Sequence, residues 1–116
     1  DKEIATFSKF WLQDILRNKI GFTGTIFSDD LSMKGTDYVG GIEAKVGKAL
    51  ESGCNMVLVC NDRPAAIEAI NFLEKEEISQ SHKITKLKAF QSISWADLEK
   101  DARRKDIIGK LKTIEK

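Results

Sequence analysis

Two adjacent carboxylates, Asp29 and Asp30, directly follow a short apolar segment, with Ser28 between that segment and the pair. Carboxylates at the end of a buried strand are costly to remove from water unless they are paired or hydrogen-bonded. In α/β folds, ligands collect at the carboxyl ends of parallel strands, which is where these side chains would lie. Because side chains alternate along a strand, we expect only one of the two carboxylates to face such a site. The pattern alone leaves open a catalytic role and a structural role as a loop or helix cap.

Other side chains could take part in chemistry, and each also has a structural interpretation. Asn61 follows a second apolar segment and would border the same edge of a sheet, but asparagine also commonly forms turns. Trp11 lies among helical apolar positions, which favours a core role over stacking on a sugar. His82 lies in a polar stretch and is expected on the surface. Cys54 and Cys60 form no CxxC pair, so we expect free buried thiols and no metal site.

Three segments have the hydrophobic spacing of amphipathic helices. The first begins at Thr6 or Ser8 and ends at Gly21, the second ends at Gly53, and the third is capped by Asp62. The apolar positions that indicate them are Phe7, Phe10, Trp11, Ile15 and Ile20 in the first, Ile42, Val46, Ala49 and Leu50 in the second, and Ala66, Ile67, Ile70 and Leu73 in the third.

Two apolar segments between these helices are predicted to be strands. Residues 25–27 are β-branched or aromatic, and residues 55–60 form the continuous apolar run typical of a parallel strand with both faces covered. The order helix, strand, helix, strand, helix indicates an α/β fold with parallel crossovers. Two strands are too few for a stable parallel sheet. We therefore expect the partner strands to come from a missing N-terminal portion or from other copies of this chain.

Residues 78–116 form a basic tail with 10 basic and 5 acidic side chains, against 9 and 13 in residues 1–77. The two signs are interleaved, so the tail is interpreted as a solvated helical face that binds no nucleic acid. Ile84, Leu87 and Phe90 indicate one short helix. Ser94–Asp97 resembles a capping box that opens a longer helix through Leu98, Ile108 and Leu111.

The composition, with 41% hydrophobic and 32% charged residues, is that of a soluble globular protein. No apolar run approaches the ~20 residues that cross a bilayer, and the first ten residues lack the pattern of a secretory signal. We therefore expect a cytoplasmic protein with no membrane contact and no cofactor, although a fragment could have lost an upstream signal.

The stretch of residues 21–33, GFTGTIFSDDLSM, resembles the nucleophile region of glycoside hydrolase family 3, and its SDDLSM ending is similar to the bacterial β-N-acetylhexosaminidase branch. Residues 6–17 resemble the helix that leads into the seventh barrel strand of that branch, and residues 49–61 resemble its eighth strand. The resemblance implies that residues 1–77 are the C-terminal part of a (β/α)8 barrel, about helix 6 to helix 8. Residues 78–116 would follow it as a helical tail.

The resemblance also implies a retaining hydrolase that removes terminal β-linked N-acetylglucosamine from muropeptides. Asp29 matches the family nucleophile, which forms a covalent glycosyl-enzyme. Asp30 and Ser28 would support the strand end, while Met33 and Asn61 would border the sugar.

In this branch the acid/base is a histidine on a loop resembling Lys-His-Phe-Pro-Gly-His-Gly, and no such motif occurs here. His82, the only histidine, lies outside any such loop. We therefore expect the isolated chain to be inactive and to need the missing N-terminal barrel portion as its partner. Two alternatives stay open: a receiver-like module that accepts phosphate on an aspartate, and a non-catalytic interaction module.

Overall fold

The computed structural model describes residues 1–79, 81–89 and 92–114. A two-stranded parallel sheet, β1 (Phe27–Asp30) beside β2 (Met56–Leu58), lies at its centre. Helix α1 (Ile42–Ser52) forms the crossover between the strands, and α2 (Arg63–Lys75) follows β2. The predicted parallel α/β order is therefore confirmed. The buried core consists of Phe7, Leu12, Ile26, Leu31, Ile42, Val46, Ala49, Cys54 and Ala69.

The N-terminal part consists of a 3-10 turn, Ala5–Phe7, and a helix, Phe10–Lys19, with the i→i+5 hydrogen bonds of π geometry. Ser8 is the cap, because its Oγ accepts a hydrogen bond from the backbone N–H of Trp11 at 3.1 Å. Gly21, with φ of +76°, ends the segment in the left-handed conformation that the sequence predicted.

The predicted core stripe of this first helix is partly wrong. Phe10 and Trp11 are 43% and 46% exposed and pack edge to face on each other, whereas Leu12 is buried. A helix with i→i+5 bonds turns less per residue than an α-helix, so the faces inferred from an α-helical period are displaced.

Helix α1 matches its prediction closely. It ends at Gly53, whose φ of +121° favours glycine. Gln13 Nε2 donates to the carbonyl oxygen of Ser52 at 3.1 Å, which fastens the π-helix to the end of α1. Two elements that lie far apart in the sequence are thereby joined.

The strands differ from their predicted extents. The strand predicted over residues 25–27 is placed at Phe27–Asp30, so Ser28, Asp29 and Asp30 lie within it rather than after it. Strand β2 is shorter than the predicted 55–60. Its two faces are not both covered, since Leu58 is 37% exposed in the part of the molecule that the structure describes.

Helix α2 starts where the sequence predicted, with Asp62 as its cap, because the carboxylate accepts a hydrogen bond from Ala65 N at 3.0 Å. Its predicted apolar stripe is half wrong: Ile67 and Ile70 are 47% and 54% exposed, while Ala69 is buried. The helix thus presents apolar side chains that the described residues leave open to solvent.

The amino-terminal ends of the two strands are joined by Arg17 and Asn55. The Arg17 guanidinium donates to the carbonyl oxygens of Phe22 and Gly24 at 2.8 and 2.6 Å and to Asn55 Oδ1 at 2.9 Å. The same Asn55 oxygen accepts a hydrogen bond from Ile26 N at 3.0 Å. These bonds fix where β1 begins.

The tail departs from the prediction in two respects. A 3-10 turn, His82–Leu87, replaces the short helix, and Phe90 lies outside the described residues. The predicted cap at Ser94 is confirmed, because its Oγ accepts the N–H of Asp97 at 3.1 Å, but it opens only the short helix α3, Trp95–Lys100. The Asp97 carboxylate accepts a bond from the Ser94 hydroxyl at 2.6 Å, rather than from the Ser94 N–H that a full capping box would use. The predicted long helix is broken at Asp101, whose backbone is extended. A second helix, α4 (Ala102–Ile114), follows, and the Asp101 carboxylate caps it by accepting the N–H of Arg104 at 2.8 Å.

The described structure is extended. Its radius of gyration is 18.7 Å, whereas a compact domain of about 100 residues has about 13 Å. Trp95, in the tail, is 82% exposed. None of the helices in the described ranges combines the length and the apolar character needed to cross a lipid bilayer.

Candidate active site

Between the paired positions that flank Ser28 and Asp29, strand β1 contains one residue more than β2. Phe27 is opposite Met56 and Asp30 is opposite Leu58, so three steps along β1 correspond to two along β2. The extra residue makes a β-bulge, a feature that is common beside active sites because it redirects a side chain. Ser28 and Asp29 form the bulge, because they lie between the paired residues Phe27 and Asp30.

Two side-chain hydroxyls hold the backbone of Asp29 where the ladder does not. Its N–H donates to Thr6 Oγ1 at 2.9 Å, and its carbonyl oxygen accepts a hydrogen bond from Ser28 Oγ at 2.7 Å. Ser28 Oγ also accepts from Leu58 N at 2.9 Å, so this buried hydroxyl replaces a main-chain carbonyl in the pairing of β1 with β2. The expected supporting role of Ser28 thus has a specific geometry.

The side chain of Asp29 is exposed. Its Oδ1 accepts a hydrogen bond from Asp30 N at 2.8 Å, and within the described ranges no hydrogen bond reaches its Oδ2. One oxygen is therefore oriented while the other faces open space. Such a carboxylate can attack a carbon atom of a substrate that binds against its open oxygen.

Asp30 has a different environment, because its carboxylate joins the ends of the two strands. It accepts hydrogen bonds from Ser32 N at 2.9 Å, from Ser32 Oγ at 2.7 Å and from Cys60 N at 3.0 Å. The pKa of Asp30 lies below its ordinary value, chiefly because of the Ser32 N–H, then the Ser32 hydroxyl and the Cys60 N–H. Its acceptor positions are committed to the protein.

The two residues expected beside the sugar lie at the same end of the sheet but make few contacts. Met33 is 41% exposed in the loop after β1, and its carbonyl oxygen accepts hydrogen bonds from Thr36. Asn61, which follows β2, is exposed and has φ of 55°. Asparagine tolerates this left-handed conformation, so its position fits the turn-forming interpretation as well.

The cysteines are free, as expected, but only one of them is buried. Burial raises the pKa of the Cys54 thiol to about 11, and the thiol points to the carbonyl oxygen of Thr6 at 3.8 Å. Cys60 is exposed, which corrects the expectation of two buried thiols, since β2 ends at Leu58 and Cys60 lies beyond it. Among the described residues, no group of three His, Cys, Asp or Glu side chains is arranged to hold a metal ion.

His82 is exposed, as the sequence predicted, and belongs to the opposite end of β1. Its 3-10 turn is bonded to the segment that precedes the strand, with Thr25 Oγ1 donating to the carbonyl oxygen of Lys83 at 2.7 Å. Asp29 is at the carboxyl end of the same strand. His82 is therefore not placed to exchange a proton with a group bound at Asp29.

The segment that carries Thr6 is anchored by a polar and aromatic cluster. Phe7 is buried, meets the Tyr38 ring edge to face at 6.3 Å, and lies under the Lys48 ammonium at 5.4 Å. Lys48 and the Tyr38 hydroxyl both donate to Glu3, at 2.9 and 2.8 Å, and these bonds hold the pKa of Glu3 below its usual range. Sequence reasoning treated Thr6 only as a possible helix cap and missed its contact with Asp29.

The model of the glycosyl hydrolase family 3 N-terminal domain matches residues 1–90 of this sequence. The chain belongs to glycosyl hydrolase family 3. The resemblance seen in residues 21–33 is thereby confirmed, and membership of family 3 replaces the receiver-like alternative.

Curated relatives within family 3 are called beta-hexosaminidases. The protein of Haemophilus influenzae is 41% identical over 109 residues, and that of Mannheimia succiniciproducens is 40% identical over 108 residues. Each alignment covers 89% of this chain and 31% of the relative. The chain therefore spans about a third of the length of the curated relatives that it matches.

Solved family 3 structures share the fold of the described residues. The chain superimposes on Neisseria gonorrhoeae NagZ in complex with N-trifluoroacetyl-D-glucosamine with a TM-score of 0.57 and 41% identity, covering 74% of this chain and 24% of that one. The Thermotoga maritima β-N-acetylglucosaminidase gives a TM-score of 0.56 and 31% identity, covering 73% and 20%. The chain thus has an α/β fold of the TIM-barrel type.

Proposed function

We propose that this chain is the C-terminal barrel segment of a retaining β-N-acetylhexosaminidase, in which Asp29 is the nucleophile. The observation that carries the proposal is the contrast between two neighbouring carboxylates. Asp29 is exposed, with one oxygen oriented and the other open, whereas Asp30 is bonded to Ser32 and Cys60. The names of the family 3 relatives supply the class of substrate.

The chemistry needs an ionised carboxylate at Asp29. Its open oxygen attacks the anomeric carbon, a carbon–oxygen bond forms, and the aglycone leaves with the electron pair of the glycosidic bond and takes up a proton from an acid. Water, which then loses a proton to the same group, attacks the anomeric carbon, frees the sugar and regenerates the carboxylate. N-acetylglucosaminyl muropeptides are the proposed substrates.

The acid/base that this cycle requires is proposed to lie in a barrel portion outside the 116 residues. His82, the chain's only histidine, is at the wrong end of β1. Residues 1–77 would then supply the last βα units of the barrel, and residues 78–116 a helical segment after it.

The same barrel portion would cover the apolar surface that is left open. Phe27 on β1 and Leu58 on β2 are 43% and 37% exposed. An apolar cleft of about 480 Å³ also opens beside β2, lined among others by Leu50, Met56, Leu73, Ile78 and Ile84. Neighbouring strands and helices of a closed barrel would fill both.

A fusion enzyme tests the proposal. Residues 1–116 replace the segment that they match in the Haemophilus influenzae β-hexosaminidase, and turnover of p-nitrophenyl N-acetyl-β-glucosaminide is measured. We expect turnover by the fusion enzyme and none by residues 1–116 alone. Asp29→Asn should lower kcat by at least about 10³-fold.

Asp30→Asn is the matched control, because an asparagine oxygen can still accept the bonds from Ser32 and Cys60. It should lower kcat by less than about 10-fold, since only the charge assistance of these bonds is lost. A folded fusion enzyme without turnover, or one in which Asp30→Asn is the more damaging change, would contradict the proposal.

A further inference from the structure

The backbone amide of Asp29 depends on a single side chain from a distant part of the chain. This N–H lies in the bulge of β1 and donates to Thr6 Oγ1 at 2.9 Å, across 23 positions of sequence. A half-buried N–H without an acceptor costs free energy, so an acceptor at this point stabilises the backbone of Asp29. Thr6 supplies it.

Thr6 is itself held rigidly. It is buried, and its carbonyl oxygen lies 3.8 Å from the thiol of Cys54, which precedes β2. The next residue, Phe7, is only 3% exposed and is clamped by Tyr38 and Lys48. The hydroxyl that faces Asp29 is thus located by packing on α1 and on the loop after β1, independently of the β1–β2 pairing.

The remaining bonds of Asp29 are local. Its carbonyl oxygen is bonded to Ser28, the preceding residue, and its Oδ1 to the N–H of Asp30, the following one. Ser28 and Asp30 accept hydrogen bonds in turn from Leu58 N and Cys60 N, so these contacts depend on how β1 lies beside β2. Among the described residues, Thr6 therefore provides the bond that joins Asp29 directly to a segment outside the two strands.

We infer that Thr6 is a positioning residue for the reaction at Asp29. It does not touch the reacting atoms. It fixes the backbone from which the Asp29 carboxylate reaches the anomeric carbon, and a misplacement of about 1 Å can cost on the order of 100-fold in rate. This inference rests on the proposed role of Asp29 as nucleophile.

Substitutions in the fusion enzyme test the inference. Thr6→Val keeps the shape of the side chain and removes the acceptor, and Thr6→Ser keeps the acceptor. We expect Thr6→Val to lower kcat by about 10- to 100-fold with KM changed by less than about 3-fold. Trapping by a 5-fluoro-N-acetylglucosaminyl fluoride should slow in parallel, and Thr6→Ser should retain at least half of kcat.

Thr25→Val is the matched control, because it removes a hydroxyl bond of 2.7 Å at the opposite end of the same strand. It should leave kcat within about 2-fold even if it lowers the melting temperature as much as Thr6→Val does. A merely structural threonine at position 6 would make the two variants alike in kcat.

The outcomes separate this inference from the proposed function. If the trap labels Asp29 and Thr6→Val keeps kcat within 2-fold, Thr6 has no positioning role while the nucleophile stands. If Thr6→Val does not fold, Thr6→Ser decides, because a loss of kcat beyond 10-fold with the hydroxyl present would overturn the inference. A label on another residue would overturn both.

Discussion

At the scale of single residues, two neighbouring aspartates of one strand differ because of what donates to them. Asp30 accepts hydrogen bonds from Ser32 and from Cys60, which closes the gap between the ends of β1 and β2. The carboxylate of Asp29 accepts one hydrogen bond, from the N–H of Asp30, and its other oxygen is open. The same chemical group therefore serves as a structural tie at one position and is accessible for reaction at the next.

The stability that the Asp30 carboxylate contributes through its hydrogen bonds with Ser32 and Cys60 should depend on pH. The pKa of Asp30 is lowered in the folded protein, first by the bonds from Ser32 and then by the bond from Cys60. A carboxylate with a lowered folded pKa contributes stability above its unfolded pKa, and that stability is lost as the pH falls through the folded pKa. The contribution is thus complete at neutral pH and absent in acid.

We expect this dependence in the melting temperature of the fusion enzyme. The difference between wild type and Asp30→Asn should be largest near neutral pH and should shrink below the unfolded aspartate pKa of about 3.9. Asp14→Asn, at an exposed position of the π-helix, is the control and should show little difference at any pH. A difference for Asp30→Asn that stays constant between pH 7 and pH 3 would mean that the charge of the carboxylate plays no part.

At the scale of elements, local signals predicted where helices start and end. Gly21 and Gly53 adopt positive φ, and Asp62 and Ser94 accept N–H groups as caps. Each of these signals acts within a few residues, so the sequence alone is sufficient to predict them.

Burial and the bulge were less predictable, because they depend on partners distant in sequence. Ile67 and Ile70 have the spacing of a core stripe but are 47% and 54% exposed, because no described residue packs over them. The bulge at Asp29 requires the register of two strands, and the bond from Asp29 to Thr6 joins residues 23 positions apart. No pattern within either segment predicts these contacts.

The two cysteines test the placement of β2. Cys54 precedes the strand, is buried and has a pKa of about 11, whereas Cys60 follows it and is exposed. The thiolate is the reactive form, so a disulfide reagent at pH 8 should modify one thiol of the native fusion enzyme rapidly. Cys60→Ser should abolish this rapid phase, and Cys54→Ser should preserve it. The number of thiols modified rapidly is compared with the total number modified in denaturant. The cysteines of the remaining barrel are subtracted from both numbers. Rapid modification in Cys60→Ser would contradict the burial of Cys54.

At the scale of the whole molecule, the described residues form a two-stranded parallel sheet that does not close into a barrel. Its radius of gyration of 18.7 Å exceeds the roughly 13 Å of a compact domain of about 100 residues, and Phe27 and Leu58 remain exposed. Exposed apolar surface and unpaired parallel strands favour association with other chains. The isolated chain should therefore behave differently from the same residues inside a closed barrel.

Leu58→Lys should have opposite effects in the two contexts. In residues 1–116 alone it should reduce self-association, measured by light scattering after size exclusion. In the fusion enzyme, where Leu58 would be covered, it should lower the free energy of unfolding by at least about 2 kcal/mol. Ala44→Lys, at an exposed position of α1, is the control and should change neither measurement strongly. Equal tolerance of Leu58→Lys in both contexts would mean that no barrel covers β2.

The role of Asp29 is tested most directly by trapping the covalent intermediate. The fusion enzyme is incubated with 5-fluoro-N-acetylglucosaminyl fluoride and digested with trypsin, and the peptide of residues 20–34, which contains both aspartates, is sequenced by tandem mass spectrometry. We expect the sugar on Asp29. A sugar on Asp30, or turnover of the reagent with no adduct on this peptide, would contradict the assignment of the nucleophile.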